Sequence, residues 1–184
     1  MLKAYKYRIY PDAEQMQFFA KCFGCVRFVY NRMLSDRIEH YNLTGKSLNN
    51  TPAQYKSEFT WLKEVDSLAL ANAQMNLNTA YRNFFRDKSN GFPKFKSKKS
   101  AKQSYRTLNI GNGIRISNNR IRLPKIGWVK VHQSMEIGAI HNATVARTAT
   151  GKYFVVLNVE YDPQPMPNNG CVVGIDVGLK EFYS

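Results

Sequence analysis

A chain of 184 residues, 43% of them hydrophobic, can bury one core or two small ones and is too apolar to be wholly disordered. Its 27 Lys+Arg against 13 Asp+Glu leave a net charge of +14, which points to a polyanionic partner, nucleic acid before any other; no small-molecule substrate is expected. No run of about 18 apolar residues is present to span a membrane. The first residues, Met1-Leu-Lys-Ala-Tyr-Lys, contain no apolar signal region, and Cys22, Cys25 and Cys171 make no disulfide framework, so a reducing cytoplasm is expected.

Residues 3–10 alternate, with Tyr5, Tyr7 and Ile9 on one side and Lys6 and Arg8 on the other, which predicts a half-buried strand with a basic outer face. Pro11 stops it, and Asp12 with Gln15 three residues on reads as a helix cap with its box partner. From Ala13 to about Tyr41 the set Met16, Phe19, Cys22, Phe23, Val26, Tyr30 and Met33 recurs at helical spacing, ending at Thr44-Gly45. A second helix is predicted from Pro52 to Val65 and a third from Ser67 to Phe85. The third places Leu70, Leu77, Tyr81 and Phe84 on one face and the uncharged polar Asn72, Asn76 and Asn83 on the other.

Residues 82–106 then concentrate charge, with nine Lys/Arg against one acid, Asp87, a net +8. Beyond them the period falls to two. Short strands are predicted near 105–110, 113–117, 120–123, 127–131, 141–148 and 153–161, a spacing that suggests a small barrel or sandwich. A lone first strand is not stable by itself, so it is expected to join these later strands, making the helices an insertion into a β domain. The fold class read here is therefore α+β. Residues 162–169, with three prolines, read as a linker ahead of the apolar strand Cys171-Val-Val-Gly-Ile-Asp176.

Three features carry chemistry. In Asn90-Gly-Phe-Pro-Lys-Phe-Lys-Ser-Lys-Lys99, the lysines Lys94, Lys96, Lys98 and Lys99 suit phosphates and Phe92 and Phe95 suit bases, unless both rings tuck into the core. Arg115, Arg120, Arg122, Lys125 and Lys130, with Trp128 among them, form a second basic strip that is either a nucleic-acid face or an ordinary outward strand surface. Asp176 sits inside an apolar strand, where a carboxylate needs a cation or hydrogen bonds. A metal or phosphate site and a strand-end aspartate in a turn both account for it. Cys22-x-x-Cys25 lies in an apolar helix stripe with no second Cys/His pair at zinc spacing, so no zinc is expected.

Seven stretches, in order, resemble the TnpB/OrfB family, transposon-encoded relatives of type V CRISPR effectors. They are Lys6-Tyr-Arg-Ile-Tyr-Pro11, Val26-Arg-Phe-Val-Tyr-Asn31, Thr79-Ala-Tyr-Arg-Asn-Phe-Phe85, Gly91-Phe-Pro-Lys-Phe-Lys-Ser97, Ser104-Tyr-Arg-Thr107, Leu123-Pro-Lys-Ile-Gly-Trp128 and Gly174-Ile-Asp-Val-Gly-Leu-Lys180. The resemblance implies a wedge β-barrel from residues 1–10 and 101–165, an inserted helical recognition lobe over 11–100, and the first strand of an RNase H-like RuvC nuclease domain in 166–184. It implies a transposon-derived guide RNA and double-stranded target DNA as partners, the protein reading a short motif beside the target. Motif-reading side chains are implied around Tyr55, at Ser67 and Ala71 at the start of the third helix, and in the loop after Tyr105, with Asn72, Tyr105, Arg106 and Thr107 expected as nucleic-acid contacts. Arg27, Asn31 and Arg82 fall in the matching stretches as further nucleic-acid contacts. Asp176 is implied as the first catalytic carboxylate and an Mg²⁺ ligand. Two-metal hydrolysis needs more acids, none of which aligns here, so the 184-residue chain is expected not to cut DNA. The alternative is a naturally short, nuclease-inactive RNA- or DNA-binding protein or repressor.

Overall fold

The alternation of the first residues becomes strand β1 (Leu2–Tyr10), which buries Tyr7 and Ile9 and turns Lys6 and Arg8 outward, in a computed structural model that describes residues 1–99, 103–132 and 137–163. Helix α1 (Ala13–Thr44) starts where predicted. The Gln15 amide donates to Asp12 Oδ1 at 2.9 Å and the Asp12 amide to Gln15 Oε1 at 3.2 Å, satisfying two amides that the first turn leaves open. It ends at Gly45, whose φ of 67° is open to glycine and whose N–H donates to the Tyr41 carbonyl. The buried stripe holds Phe19, Cys22, Phe23, Tyr30 and Met33 as predicted; Val29 and Leu34 join it, while Met16 is exposed and Val26 half-buried.

The predicted second helix is not formed. Residues 52–65 make two 3₁₀ turns instead, Pro52–Lys56 and Thr60–Lys63. Pro52, Tyr55, Leu62 and Val65 are buried at helical spacing, but Phe59 leaves helical geometry (φ −108°, ψ 79°) to pack edge-on against Phe28 at 4.7 Å. Helix α2 (Ser67–Arg86) follows, capped by Asp66, whose Oδ1 accepts from the Leu68 amide at 3.0 Å. The expected three-helix block thus contains two α-helices. Asn72, placed on a polar face by its spacing, is buried and accepts from Asn76 through Oδ1.

The remaining strands fall close to their expected positions: β2 (Gln103–Leu108), β3 (Arg115–Ser117), β4 (Arg120–Leu123), β5 (Gly127–Val131), β6 (Ile140–Arg147) and β7 (Tyr153–Glu160). All pairs are antiparallel and the order is β2-β6-β7-β1-β5-β4-β3. β1 lies between β7 and β5, so the helices are indeed an insertion after the first strand. The expected barrel does not close: among the described residues β2 and β3 are the edges of an open seven-stranded sheet. At that seam the Asn109 side chain stands in for strand pairing. It accepts from the Ile114 amide at 2.8 Å and donates to the carbonyls of Ile114 at 3.1 Å and Ile140 at 2.8 Å. The RuvC strand expected around Asp176 lies outside the described residues.

The sheet's inner face and α1 share one core. Phe19 packs against Tyr105 (6.3 Å between ring centres) and Tyr153 (5.7 Å), and Phe23 against Tyr105 (5.9 Å). Asp66 Oδ2 accepts from the Thr107 hydroxyl, both groups buried, so the cap of α2 is tied to β2.

Candidate nucleic-acid interface

Residues directly opposite in neighbouring strands project from the same face. With Tyr7, Ile9, Ile121, Leu123, Val129 and Val131 buried inward, their alternates form one outer face. On it Arg115 stands opposite Arg122 and Arg122 opposite Trp128. One row over, Arg120 stands opposite Lys130 and Lys130 opposite Tyr10. Lys6 and Arg8 continue the face along β1. β1, β3, β4 and β5 contain no Asp or Glu, and the ion pairs among the described residues, Lys21–Glu64, Arg32–Asp36 and His141–Glu160, involve none of these cations. Like charges facing each other across a ladder destabilise it. A polyanion laid on the face removes that repulsion and releases its own counterions. The basic strip expected from sequence is thus joined by Lys6 and Arg8 into one surface. Lys125 stands apart from this ladder, in the turn after β4 with a left-handed φ of 69°.

The lysine-rich segment is a second, differently built surface. Asn31 grips its backbone at two points, accepting from the Lys96 amide at 2.8 Å and donating to the Lys96 carbonyl at 2.9 Å. Lys96 lies over the Tyr30 ring at 4.2 Å, and desolvation there lowers the pKa of its amine. Asn31 and the Lys96–Tyr30 contact therefore fasten the segment to α1, while Lys94, Lys96, Lys98 and Lys99 all keep exposed surface. Both rings keep exposed surface, Phe92 at 44% while packing edge-on against Tyr81 and Phe84, and Phe95 at 57% beside Ile38 and Leu43 of α1.

The positions implied for motif reading are not one exposed cluster. Tyr55 is buried; its hydroxyl donates to Asp36 Oδ2 at 2.5 Å and accepts from Asn50 at 2.8 Å. Burial and the Asp36 carboxylate hold that hydroxyl's pKa far above the usual tyrosine range. Tyr105 lies in the aromatic core, and Thr107 is committed to Asp66. Arg106 is exposed on β2 and donates to Asn142 at 3.1 Å. Ser67 is exposed and accepts from Lys56 at 2.9 Å, with Ala71 half-buried one turn on. Arg82 is exposed on α2, and Arg27 lines a groove with Phe28, Trp61 and Glu64. Asp66 was missed by reading the helix from Ser67; an aspartate just before an apolar helical run is the signal that finds it.

Cys22 and Cys25 are buried in the α1 stripe, and burial pushes their thiols up to about 12 and about 11, which keeps them protonated. Among the described residues no three His, Cys, Asp and Glu side chains are grouped to hold a metal, so they do not by themselves fit an Mg²⁺ centre. Asp176 lies outside them. No helix among them is long and apolar enough to cross a membrane.

Comparison with known proteins follows the same lines. Residues 1–46 match the helix-turn-helix domain family HTH_OrfB_IS605, although here that stretch folds as β1 and one unbroken helix. The chain is 30% identical over 192 residues to the "Putative RNA-guided DNA endonuclease InsQ" of Escherichia coli (strain K12), an alignment covering 98% of this chain and 46% of that protein. It is 31% identical over 193 residues to the "Putative RNA-guided DNA endonuclease" of Streptomyces pristinaespiralis, covering 99% and 47%. A third relative, virulence protein VsdF of Salmonella dublin, is 37% identical over 115 residues, covering 53% of this chain and 95% of VsdF. The chain spans about half the length of the two endonucleases it matches. With an OrfB-type amino-terminal domain and a match to both over nearly all its residues, the chain belongs to the TnpB/OrfB family.

Proposed function

We propose that this chain is the nucleic-acid-binding half of a TnpB-type RNA-guided DNA endonuclease. On this reading it holds a transposon-derived guide RNA and engages a short motif in double-stranded DNA beside the target, while base pairing reads the rest. β1 and residues 101–165 act as the wedge unit, residues 11–100 as the recognition lobe, and 166–184 as the start of the RuvC domain, in the cytoplasm of a bacterium or archaeon. The observation that carries the reading is the outer sheet face, where Arg115, Arg122, Arg120 and Lys130 confront one another with no acid on their strands.

Binding follows from that surface by elementary electrostatics. Each phosphate neutralised releases condensed counterions, so affinity falls with salt at a log–log slope of about −0.9 per contact for duplex DNA and about −0.7 for single strands. Strands fix the backbone beneath the cations, so binding has only their side chains to order. Asp176 supplies one metal-ligating carboxylate to a nuclease site that needs further acids, and the 184-residue chain binds without cutting. The test is a salt titration of binding, paired with a cleavage assay in Mg²⁺. A steep slope that Arg122→Gln and Lys130→Gln flatten, with no cleavage, supports the proposal. A slope those substitutions leave unchanged overturns the assignment of the face, and cleavage by this chain overturns the division of labour.

The coverage of VsdF, 95% of which aligns within this chain, favours a second reading: a short protein whose whole function is to bind RNA or DNA, as a repressor does. Sequencing the reading frame past codon 184 separates the two. A continuing frame with a strand-borne Glu and a later Asp supports the endonuclease half, and a stop codon supports the short binder.

A further inference from the structure

The outer face carries rings as well as charges, in a pattern set by three neighbouring strands. Arg8 lies opposite Phe154, and Tyr10 opposite Lys130. Residues two apart on a strand share a face, so Phe154 and Tyr10 are diagonal neighbours across β7 and β1. Tyr10 and Trp128 are likewise diagonal across β1 and β5, each step spanning about 7–8 Å. An aromatic diagonal thus crosses three adjacent strands, with Tyr10 46% exposed, Trp128 37% exposed and Phe154 half-buried. Every ring has a cation over it: Lys6 at 4.5 Å from the Phe154 centroid, Arg8 at 5.1 Å from Tyr10, and Arg115 at 5.5 Å from Trp128.

Folding does not demand this arrangement, because rings left on a solvent face contribute little to the core. A duplex presents phosphates outward and keeps its bases stacked inside, so lysines and arginines alone would suit it. Rings in file, each beside a cation, suit bases that are already unstacked. We infer that the outer face of β7, β1 and β5 is a stacking platform for an unpaired stretch of nucleic acid. Phe154, Tyr10 and Trp128 lie under its bases once Lys6, Arg8 and Arg115, which cover these rings in the free protein, turn to its phosphates beside Lys130 and Arg122. The inference rests on the nucleic-acid reading above and narrows it to a single-stranded ligand on a stated face.

The test uses the full chain carrying Trp61→Phe, which leaves Trp128 as its one tryptophan. Its fluorescence is titrated with a short oligouridine, the matching oligodeoxythymidine, and a DNA duplex of the same length. Saturable quenching by single strands and not by the duplex is expected. Tyr10→Ala should weaken single-strand binding by roughly tenfold and leave duplex binding unchanged. Quenching by either sugar supports the platform, and the preferred sugar tells whether an RNA or a displaced DNA strand lies on it. If single strands bind without quenching Trp128 and Tyr10→Ala has no effect, the platform is overturned. In that case Lys130→Gln still separates the two ideas: weaker binding of every nucleic acid leaves the charged face standing, and unchanged binding removes that face too, whereas an unsubstituted chain that binds no nucleic acid at any salt removes the underlying reading itself.

Discussion

The two basic surfaces of this protein are built on opposite plans. The outer sheet face gets its geometry from backbone ladders: Arg115, Arg122 and Trp128 stand in one row because β3, β4 and β5 pair in that register. The lysine-rich segment has no ladder and is held by the Asn31 side chain and the Tyr30 ring. The difference separates charge from placement. Removing a cation from the sheet changes charge and leaves geometry intact. Removing Asn31 changes geometry and leaves every charge in place.

The comparison breaks most completely where the two layers join. Phe19 is fully buried between Tyr105 and Tyr153, so Phe19→Ala should cost about 3–5 kcal/mol, read as a lowered denaturant midpoint. Both surfaces should then lose binding together. Asp66→Ala removes the α2 cap and leaves the buried Thr107 hydroxyl without its acceptor, an expected loss of about 2–4 kcal/mol by the same measurement. A milder Thr107→Val would show that the cap, and not the tie to β2, dominates.

Two smaller effects sharpen the contrast. Asn31→Ala should cost only about 1 kcal/mol in stability, since the bonds it loses are solvent-accessible. Yet it should flatten the salt slope as the joint replacement of Lys94, Lys98 and Lys99 by glutamine does, although it removes no charge. A salt titration of both variants checks this, and an unchanged slope in Asn31→Ala would show that the segment needs no fastening. Lys125 holds a left-handed φ, which costs a residue with a Cβ about 1 kcal/mol. Lys125→Gly should therefore raise the unfolding free energy by about that amount. If Lys125 touches phosphate, the same variant should also lose about 0.9 from the duplex salt slope.

Much of the molecule was legible along the chain because local rules act locally. The Asp12–Gln15 box and the Gly45 stop fall where short-range chemistry puts them. The second helix was misread for a long-range reason. Its apolar spacing is helical, and Phe59 abandons the helix to reach Phe28, more than thirty residues away in sequence. The site was half legible. Net charge marked the lysine-rich segment and the strand strip, but burial removed Tyr55, Tyr105, Thr107 and Asn72 from any exposed cluster.

By itself, then, the sequence determined every element but the second helix, the insertion of helices after a first strand, the family, and which residues alternate inward or outward, because periodicity and capping depend on near neighbours. Only the tertiary structure decided that the sheet stays open at β2 and β3, with Asn109 bridging the seam. It also decided that Lys6, Arg8, Tyr10, Trp128 and Phe154, scattered over some 150 residues, stand on one face. A period of two assigns a side chain to a face; strand order and register decide its neighbours there, and both come from the pairing of distant segments.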